Sequence, residues 1–512
     1  METPTYLLGI DVGTSSVKAV LIQPDGTVLA TASPEHTFET PKPLWAESNP
    51  EAWWEGTIRS VQMVLEQSGV DGKDVAAMGL TGQMHGLVLL DGSGAVLRPC
   101  IMWNDQRTAA ECAEITEAIG SSEVLGITGN PVLPGFTAPK VAWVKKNEPD
   151  VYAKAEHLLL PKDYVRYRLS GELVMDVADG SGTALIEVGA RKWSDRMVEA
   201  SGTQASWLPQ LMECAEVSAA LSAEAAALLG LRAGIPIAAG AGDQAAQAVG
   251  SGIFEEGTLS ATFGTSGVVF AHSKEFRVEP DGKLHAFCSA VPGQWHLMGV
   301  MLSAAGSLQW FRNNLGELEM KREQAGEGDA YSLLVERAMQ APVGSEGLFF
   351  MPYLSGERTP HPDPLARGGF VGLTLRHSKA HLIRSVIEGV TFGMRDSLEL
   401  MRNLGIEPAE IVVSGGGASN PSWRQIMGDI FGARVMTVNA TEGAAFGAAL
   451  LAGVAGGIYS SVEASCRQTI RPSEQAEPLS SSRESYEAFY QEYVKLYPTL
   501  KDHFHRVAEL NG

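Results

Sequence analysis

A short Gly-Thr-Ser turn occurs twice in the sequence, each time directly after an apolar, strand-like run. Gly13-Thr14-Ser15 follows LLGIDV, in which Asp11 lies near the strand end, and Gly264-Thr265-Ser266 follows LSATF in the second half. Backbone N–H groups of such turns can surround a phosphate without bulky side chains intervening. Asp11 is placed to hold Mg²⁺ directly or through water. An ordinary hairpin with a solvated Asp is the alternative for one copy, but the second copy favours two turns that clamp one nucleotide.

Asp243 is the best candidate for a general base. It lies between Gly242 and Gln244, where the apolar run IPIAAGAGD ends and the helix-prone run QAAQAVGSG begins. Phosphoryl transfer to an alcohol needs positioning, charge neutralisation and a carboxylate that accepts the hydroxyl proton. The spacing leaves open the alternative that Asp243 only caps the following helix.

Other nucleotide-binding motifs fit the sequence less well. The P-loop pattern GxxxxGK[ST] is absent, which disfavours a P-loop enzyme. The run from Gly240 to Ala245 matches a loose dinucleotide pattern, but no acidic residue follows at the required distance. Protein-kinase signatures also fail, because Val17-Lys18-Ala19 is a fragment with no HRD or DFG after it.

The elements that must position these residues indicate a mixed α/β chain with two related halves. The first 30 residues predict a hairpin and a third strand, and TLSATFGTSGVVF predicts a second such hairpin. NPEAWWEGTIRSVQMVLEQSG and HLIRSVIEGVTFGMRDSLELMRNLG predict amphipathic helices. IVVSGGGASN followed by WRQIMGDIFG predicts a strand, a phosphate-type loop and a helix. We place the domain boundary near residue 255, which gives domains 1–255 and 256–512.

Composition excludes several classes of protein. The chain has 512 residues, 45% hydrophobic and 19% charged, and a net charge of −21, so nucleic acid is not an expected partner. Five scattered cysteines indicate neither a disulfide framework nor a zinc site. The N-terminal run does not have the pattern of a secretory signal, which predicts a cytoplasmic protein. The uncharged segment 443–462 is rich in Gly and Ala, so we predict an interior helix rather than a membrane span.

Nine motifs in this order resemble the FGGY family of carbohydrate kinases. They extend from about residue 7 to about residue 450, and they are specific in combination. The motifs are GIDVGTSSVKA, GLTGQMHGLVLLD, MWNDQRT, GNPVLPGFTAPK, LLPKDYVRYRLSGE, GAGDQAAQAVGSG, FGTSG, MPYLSGERTPHPDP and SGGGASNPSWRQIMGD.

The resemblance implies two domains of the actin and Hsp70-like ATPase (ribonuclease H-like) fold, with ATP and Mg²⁺ bound in the cleft between them. By position, Asp243 matches the catalytic base of the family, and Asp11 matches the acid associated with Mg-ATP. The resemblance assigns the other nucleotide contacts to the first hairpin (Gly13, Thr14, Ser15 and Lys18), the second hairpin (Gly264 and Thr265), the segment AAGSLQWF (Gln309) and the adenosine loop (Gly416 and Asn420).

For the sugar, the resemblance points to Met84 and His85, because glycerol-specific members carry an Arg-Glu pair there. Met84 offers an adaptable apolar contact, and His85 can donate and accept hydrogen bonds. Asp105 is a further candidate, with a structural Asp105–Arg107 interaction as the alternative. Gln244 is also a candidate, but it departs from the Asn common at this position, which leaves its sugar contact open.

The implied reaction is ATP-dependent phosphorylation of a small ketose at its terminal hydroxyl, with D-xylulose as the first candidate. Another ketose or polyol, such as ribulose, is the alternative within the family. A protein-binding ATPase related to actin or chaperones is the alternative from a different class. The expected partners are a small sugar and ATP, with no membrane and with a homodimer left open. LSGERTP (residues 354–360) is expected to give structural support near the cleft.

Overall fold

The computed structural model describes residues 5–510, and the first half of the chain is built on a mixed sheet. Its strands are β1 (Tyr6–Val12), β2 (Val17–Ile22), β3 (Val28–Ala32), β4 (Glu47–Ser48), β5 (Val75–Gly82), β6 (Val88–Leu90), β7 (Cys100–Ile101), β8 (His157–Leu159), β9 (Val174–Asp176), β10 (Ile186–Glu187), β11 (Lys192–Trp193), β12 (Gln210–Met212), β13 (Val217–Ala220), β14 (Pro236–Ala238) and β15 (Ala241–Gly242). Its helices are α1 (Pro50–Ser68), α2 (Ala109–Ile119), α3 (Ser121–Thr128), α4 (Thr137–Asn147), α5 (Pro149–Lys154), α6 (Pro161–Ser170), α7 (Val177–Ser181), α8 (Asp195–Ser201), α9 (Ala223–Leu229) and α10 (Asp243–Gly250).

The first large sheet has the strand order β13-β14-β5-β1-β2-β3, with β15 paired to the end of β5. The strands β1 and β2 form an antiparallel hairpin, and β5 runs parallel to β1. Helix α1 packs on one face of this sheet and buries Trp53 and Val61 there. Its start is fixed by Asn49, whose side chain accepts a hydrogen bond from the N–H of Glu51, and its end by Gly69 in the left-handed conformation.

The second half repeats this arrangement. Its strands are β16 (Thr258–Phe263), β17 (Gly267–Ser273), β18 (His285–Cys288), β19 (Trp295–Met301), β20 (Phe349–Met351), β21 (Gly369–Val371), β22 (Glu410–Ser414), β23 (Arg434–Val438) and β24 (Pro472–Ala476). Its helices are α11 (Ala305–Leu315), α12 (Glu317–Gln324), α13 (Ala330–Ala338), α14 (Lys379–Asn403), α15 (Pro421–Phe431), α16 (Gly443–Ala455), α17 (Val462–Thr469), α18 (Ser480–Tyr493) and α19 (Leu496–Leu510).

The second large sheet has the order β18-β19-β17-β16-β22-β23-β24. As in the first sheet, an antiparallel hairpin (β16 and β17) is followed by a third antiparallel strand (β19), and a parallel strand (β22) pairs with the first strand of the hairpin. The predicted pair of related α/β halves is therefore confirmed. The long helix α14 lies across this core and buries Ile383, Val386 and Val390.

Helix α16 belongs to the second half of the sequence but packs on the first sheet. The contact is close, because a Cβ atom added to Gly9 would lie 1.9 Å from the carbonyl oxygen of Ala445, and one added to Gly79 would lie 2.1 Å from that of Ala448. The helix is almost wholly buried, as predicted for an interior helix. Within residues 5–510, no helix is long and apolar enough to cross a membrane. The second half thus completes the core of the first.

Candidate functional site

Three strand ends meet around Gly82, and two of them carry a predicted functional acid. In the parallel pairing of β1 with β5, Asp11 lies opposite Thr81 and Val12 opposite Gly82. On the other side of β5, β15 pairs Gly242 with the same Gly82, and Asp243 follows at once. Since the carboxyl ends of parallel strands share one edge of a sheet, Asp11 and Asp243 lie on either side of the end of β5.

Burial raises the pKa of both acids, and the charge of Asp11 also affects the protonation of Asp243. Burial and the negative charge of Asp11 together raise the pKa of Asp243 to about 7, against the opposing effect of hydrogen bonds from Gln244. Burial also raises the pKa of Asp11 to about 6, against the opposing charge of Lys18. Gly242 is the N-cap residue of α10, so Asp243 lies one residue inside the helix.

A divalent cation fits this pair of carboxylates. Within the described part of the chain, no group of three or more His, Cys, Asp or Glu side chains is arranged to hold a metal ion. Mg²⁺ commonly binds proteins through only one or two carboxylates and takes its other ligands from phosphates and water. Burial raises the pKa of both Asp11 and Asp243, and a bound cation would favour their ionised forms.

The loop after β5 brings Met84 against the segment that carries Asp243 and His85 against Gly182, at the end of α7. A Cβ atom added to Gly242 would lie 2.9 Å from Cγ of Met84. A Cβ atom added to Gly182 would lie 2.6 Å from Nδ1 of His85 and 2.9 Å from Cε of Met84. The predicted base and the two predicted sugar contacts are therefore neighbours.

A hydrogen bond to the backbone determines which nitrogen of the His85 imidazole carries the proton. Its Nδ1 lies 2.6 Å from the carbonyl oxygen of Gly182, which can only accept, so Nδ1 carries the proton. Burial lowers the pKa of His85 to about 3, so the ring is neutral and Nε2 is an acceptor. The ring stacks on Phe136 with a centroid distance of 4.6 Å. Nε2 has no hydrogen-bond partner among residues 5–510 and remains available to a ligand hydroxyl.

The side chain of Asp105 is hydrogen-bonded to other groups of the protein. Its buried carboxylate accepts hydrogen bonds from the guanidinium of Arg107, with an Nη2–Oδ2 distance of 2.7 Å, and from the N–H of Ala46 at 2.7 Å. These contacts favour the alternative interpretation over a sugar contact. In the same segment, the half-exposed indole of Trp103 donates from Nε1 to Oγ1 of Thr14 at 3.0 Å. This bond joins the segment to the first phosphate hairpin.

The first hairpin is closed by a bond from the N–H of Gly13 to the carbonyl oxygen of Ser16 at 3.0 Å, and Ser15 is exposed at its tip. The amine of Lys18 pairs with Glu442, just before α16, at 2.8 Å. Gln83 had no predicted role, yet its Nε2 donates to the carbonyl oxygen of Gly13 at 3.1 Å. Gln83 thus connects the loop that carries Met84 and His85 to the first Gly-Thr-Ser hairpin.

A cavity of about 500 Å³ in the second half brings together all the predicted nucleotide contacts from that half. The second hairpin is fixed there, because the carbonyl oxygens of Gly264 and Thr265 accept hydrogen bonds from the start of α11. The side chain of Asn420 caps α15, so its amide oxygen is already used. The lining includes the predicted residues Gly264, Thr265, Gln309, Gly416 and Asn420, together with Asp329 and Tyr331, for which the sequence analysis predicted no role.

The LSGERTP segment forms hydrogen bonds with residues at the end of β19. The carboxylate of Glu357 accepts hydrogen bonds from the N–H of Leu302 at 3.0 Å and of Arg358 at 2.7 Å. The N–H of Thr359 donates to the carbonyl oxygen of Val300 at 3.0 Å. Val300 packs against a core cluster that includes residues of both halves, among them Phe136 and Phe287. The segment supports the contact between the halves.

Comparison with known proteins identifies the family. Residues 6–250 match the N-terminal domain of the FGGY family of carbohydrate kinases, and residues 259–456 match its C-terminal domain. The chain is 42% identical to the xylulose kinase of Escherichia coli (strain K12) over 428 residues, which cover 84% of this chain and 85% of that protein. The crystal structure of xylulose kinase from Rhodospirillum rubrum superposes with a TM-score of 0.90 at 30% identity, covering 98% of this chain and 100% of that one.

A gluconokinase is also among the relatives. That of Bacillus subtilis (strain 168) is 30% identical over 442 residues, covering 86% of this chain and 85% of its own. The chain therefore belongs to the FGGY family of carbohydrate kinases and is itself a carbohydrate kinase.

Proposed function

We propose that this FGGY carbohydrate kinase transfers the γ-phosphoryl group of ATP to the terminal hydroxyl of a small ketose, with D-xylulose phosphorylated at O5. The observation that carries the proposal is the contact of Met84 with Gly242, directly before Asp243, with His85 next to Met84 at Gly182. A sugar held by this loop has its reacting hydroxyl beside a carboxylate. The similarity to proteins named xylulose kinases supports the same substrate.

In this reaction, Asp243 accepts the proton of the attacking hydroxyl while the oxygen forms a bond to the γ-phosphorus and the bond to the β,γ-bridging oxygen breaks. A general base is most effective when its pKa lies near the working pH, and the pKa of Asp243 is about 7. The two hairpins supply backbone N–H groups to the phosphates. Mg²⁺, which Asp11 would hold directly or through water, neutralises charge on the phosphates when bound.

The form of His85 favours a hydroxyl over a carboxylate as its ligand. Since Nδ1–H is used by Gly182, the neutral ring offers only the lone pair of Nε2, which accepts from a hydroxyl and repels a carboxylate. Met84, which is 7% exposed, adds an apolar surface for sugar carbons. A polar ketose suits this pair better than the aldonate that a gluconokinase accepts.

The test is a substrate panel of D-xylulose, D-ribulose, glycerol and D-gluconate, with ADP production measured at saturating Mg-ATP. We expect D-xylulose to have the highest kcat/KM and D-ribulose, which differs in one hydroxyl orientation, a lower but measurable value. A site that hydrogen-bonds a hydroxyl discriminates against analogues that lack it by as much as about 10⁴. If D-gluconate or glycerol exceeds D-xylulose, the ketose assignment is wrong. ATPase activity that ignores every sugar would favour a protein-binding ATPase instead.

Two substitutions test the residue roles. Asp243→Asn should lower ketose phosphorylation by about 10²- to 10⁴-fold, the usual effect of removing a positioned base, while leaving ADP binding intact. Asp150→Asn, on the exposed surface of α5, is the matched control and should retain full activity. His85→Ala should weaken ketose use without changing ADP affinity. Near-normal turnover of Asp243→Asn would exclude this residue as the base.

A further inference from the structure

The backbone of His85 adopts an unfavourable conformation that its surroundings must maintain. Its φ angle is 69°, in the left-handed region, where a residue with a side chain costs roughly 1–2 kcal/mol relative to the ordinary conformation. Such residues persist only where several contacts fix them, and they are frequent at binding and catalytic sites. The question is which contacts fix His85.

The carbonyl oxygen of His85 accepts two side-chain hydrogen bonds from the start of α4. Nζ of Lys140 donates at 2.8 Å, and Oγ1 of Thr137 donates at 3.0 Å. The same Nζ also donates to the carbonyl oxygen of Gly135 at 2.7 Å. Lys140 therefore joins the His85 turn to the backbone just before Phe136, whose ring stacks on the imidazole. The peptide group and the ring of His85 are fixed from the same side.

Lys140 is unusual among the lysines because it is fully buried without a carboxylate partner. It is 0% exposed, and no Asp or Glu forms an ion pair with it within residues 5–510. Lys162, which is also 0% exposed, pairs instead with Asp163 at 2.6 Å and Asp176 at 2.5 Å. Burying an amine without an opposite charge lowers the stability of the folded protein, and an apolar side chain of similar length would fill the same space without this loss.

The two bonds of Lys140 do not depend on its charge. Burial lowers the pKa of Lys140 to about 7. A neutral amine still carries two N–H groups, which is the number of carbonyl oxygens that it contacts. The link to His85 is therefore available in both protonation states, and we expect it throughout the working pH range of the enzyme.

We propose that Lys140 is a positioning residue for the sugar: by holding the carbonyl group of His85, it maintains the left-handed turn that directs Nε2 toward a ligand hydroxyl. The inference rests on the proposed function, since it assigns Lys140 a role in the sugar site defined there. Lys140 itself contacts no substrate in this scheme. Its effect is transmitted only through His85, and that restriction makes the proposal testable.

The test is a double-mutant cycle of Lys140→Met and His85→Ala, with kcat and KM for D-xylulose and the Kd of ADP measured for all four proteins. A neutral hydrogen bond contributes about 0.5–1.5 kcal/mol and Lys140 donates two, so Lys140→Met should lower kcat/KM for the ketose by roughly 5- to 100-fold. The Kd of ADP should stay within about twofold of the wild type, because the nucleotide cavity lies in the other half. The double variant should be no worse than His85→Ala alone.

Lys145→Met is the matched control, because Lys145 lies on the same helix, is exposed and forms no ion pair with the described residues. It should leave all three constants unchanged. Thr137→Val removes the other hydrogen-bond donor to the carbonyl oxygen of His85, and valine has nearly the same shape as threonine. This variant replaces Lys140→Met in the cycle if Lys140→Met does not fold. We expect Thr137→Val to lower kcat/KM for the ketose about three- to tenfold, as loss of a neutral hydrogen bond does.

Four results would overturn the inference. Additive losses in the double variant would mean that Lys140 acts independently of His85. A parallel loss of ADP affinity would mean that Lys140 only stabilises the protein as a whole. Unchanged ketose kinetics in Lys140→Met, together with a clear loss in His85→Ala, would refute the role of Lys140 and leave the proposed function intact. If His85→Ala itself has no effect, the proposed sugar site fails and the inference fails with it.

Discussion

Gly447 lies where α16 crosses α10, and we expect its replacement by alanine to lower both stability and turnover. A Cβ atom at this position would lie 1.8 Å from the carbonyl oxygen of Ala246, which is helix backbone and not a mobile side chain. Because favourable contacts begin near about 3.5 Å, the two helices must separate by roughly 1.7 Å. The first residue of α10 is Asp243, so the separation displaces the proposed base.

Overpacking of a core costs typically about 1–3 kcal/mol in the free energy of unfolding. A misplacement of about 1 Å at a catalytic group reduces the rate by roughly 10²-fold. We therefore expect Gly447→Ala to have a lower unfolding midpoint and a kcat for the ketose lowered about 10- to 100-fold. Thermal unfolding, steady-state ADP production and ADP titration measure the three relevant quantities. The Kd of ADP should change little, because the proposed nucleotide cavity is lined by residues of the second half other than α16.

The control is Gly126→Ala on α3, where an added Cβ atom meets no heavy atom within 4 Å. An exposed helical glycine is less stable than alanine by about 0.5–1 kcal/mol, so this variant should be neutral or slightly stabilised. A Gly447→Ala enzyme that loses stability but keeps its kcat would refute the connection between α16 and the base. If it loses neither, the close packing of α16 on α10 is itself wrong.

Three further predictions concern other parts of the molecule. Burial raises the pKa of Asp396 to about 7, so the folded state keeps a proton that the unfolded chain releases near pH 4, and stability falls as pH rises between these values. Asp396→Asn should therefore be more stable than the wild type above pH 7, by on the order of 1–4 kcal/mol, and parallel stability curves against pH would contradict this. Trp103→Phe removes the bond to Thr14 and should lower kcat/KM about fivefold, the effect of one neutral hydrogen bond, whereas an unchanged value would show that this bond does not contribute. D-xylulose together with a non-hydrolysable ATP analogue should reduce the radius of gyration in solution scattering, since closure brings both hairpins to one nucleotide, and identical curves would count against closure.

The strongly periodic elements of this chain were predictable from sequence. The helix predicted over NPEAWWEGTIRSVQMVLEQSG is α1, and the two Gly-Thr-Ser turns join β1 to β2 and β16 to β17. These elements follow from local patterns: apolar spacing, a capping Asn, and glycine where the chain reverses. The return of α16 to the first sheet was not predictable in this way, because the burial of a Gly- and Ala-rich helix does not reveal which surface covers it.

The site was predictable where a residue's role depends on strand position and unpredictable where it depends on tertiary contacts. Asp11 lies at the end of an apolar strand and Asp243 directly follows one, so both could be singled out from the sequence as candidate functional acids. The left-handed turn at His85 was not, because the run from Val75 to Leu90 resembles continuous strand and the residue that turns the chain is not glycine. The contact of Lys140 with that turn joins residues far apart in sequence, and no local pattern contains it.

Two contacts connect the halves and restrict their relative motion: one is a set of buried hydrogen bonds, and the other is a packed helix. At one place, Asn130 accepts a hydrogen bond from Nδ1 of His285 at 2.7 Å and donates to the carbonyl oxygen of Ala286 at 2.9 Å, with both partners buried on β18. At the other, α16 is inserted into the first core. His285 lies beside Phe136, with a centroid distance of 6.2 Å, and Phe136 stacks on His85. A rotation of the halves that disturbs Asn130 and His285 therefore also moves a ring that fixes the proposed sugar contact. Because the loop that carries His85 and the second half share this aromatic contact, we expect ketose binding and closure of the two halves to be coupled. Substitutions at Asn130 should therefore alter the ketose KM, although Asn130 lies outside the proposed site.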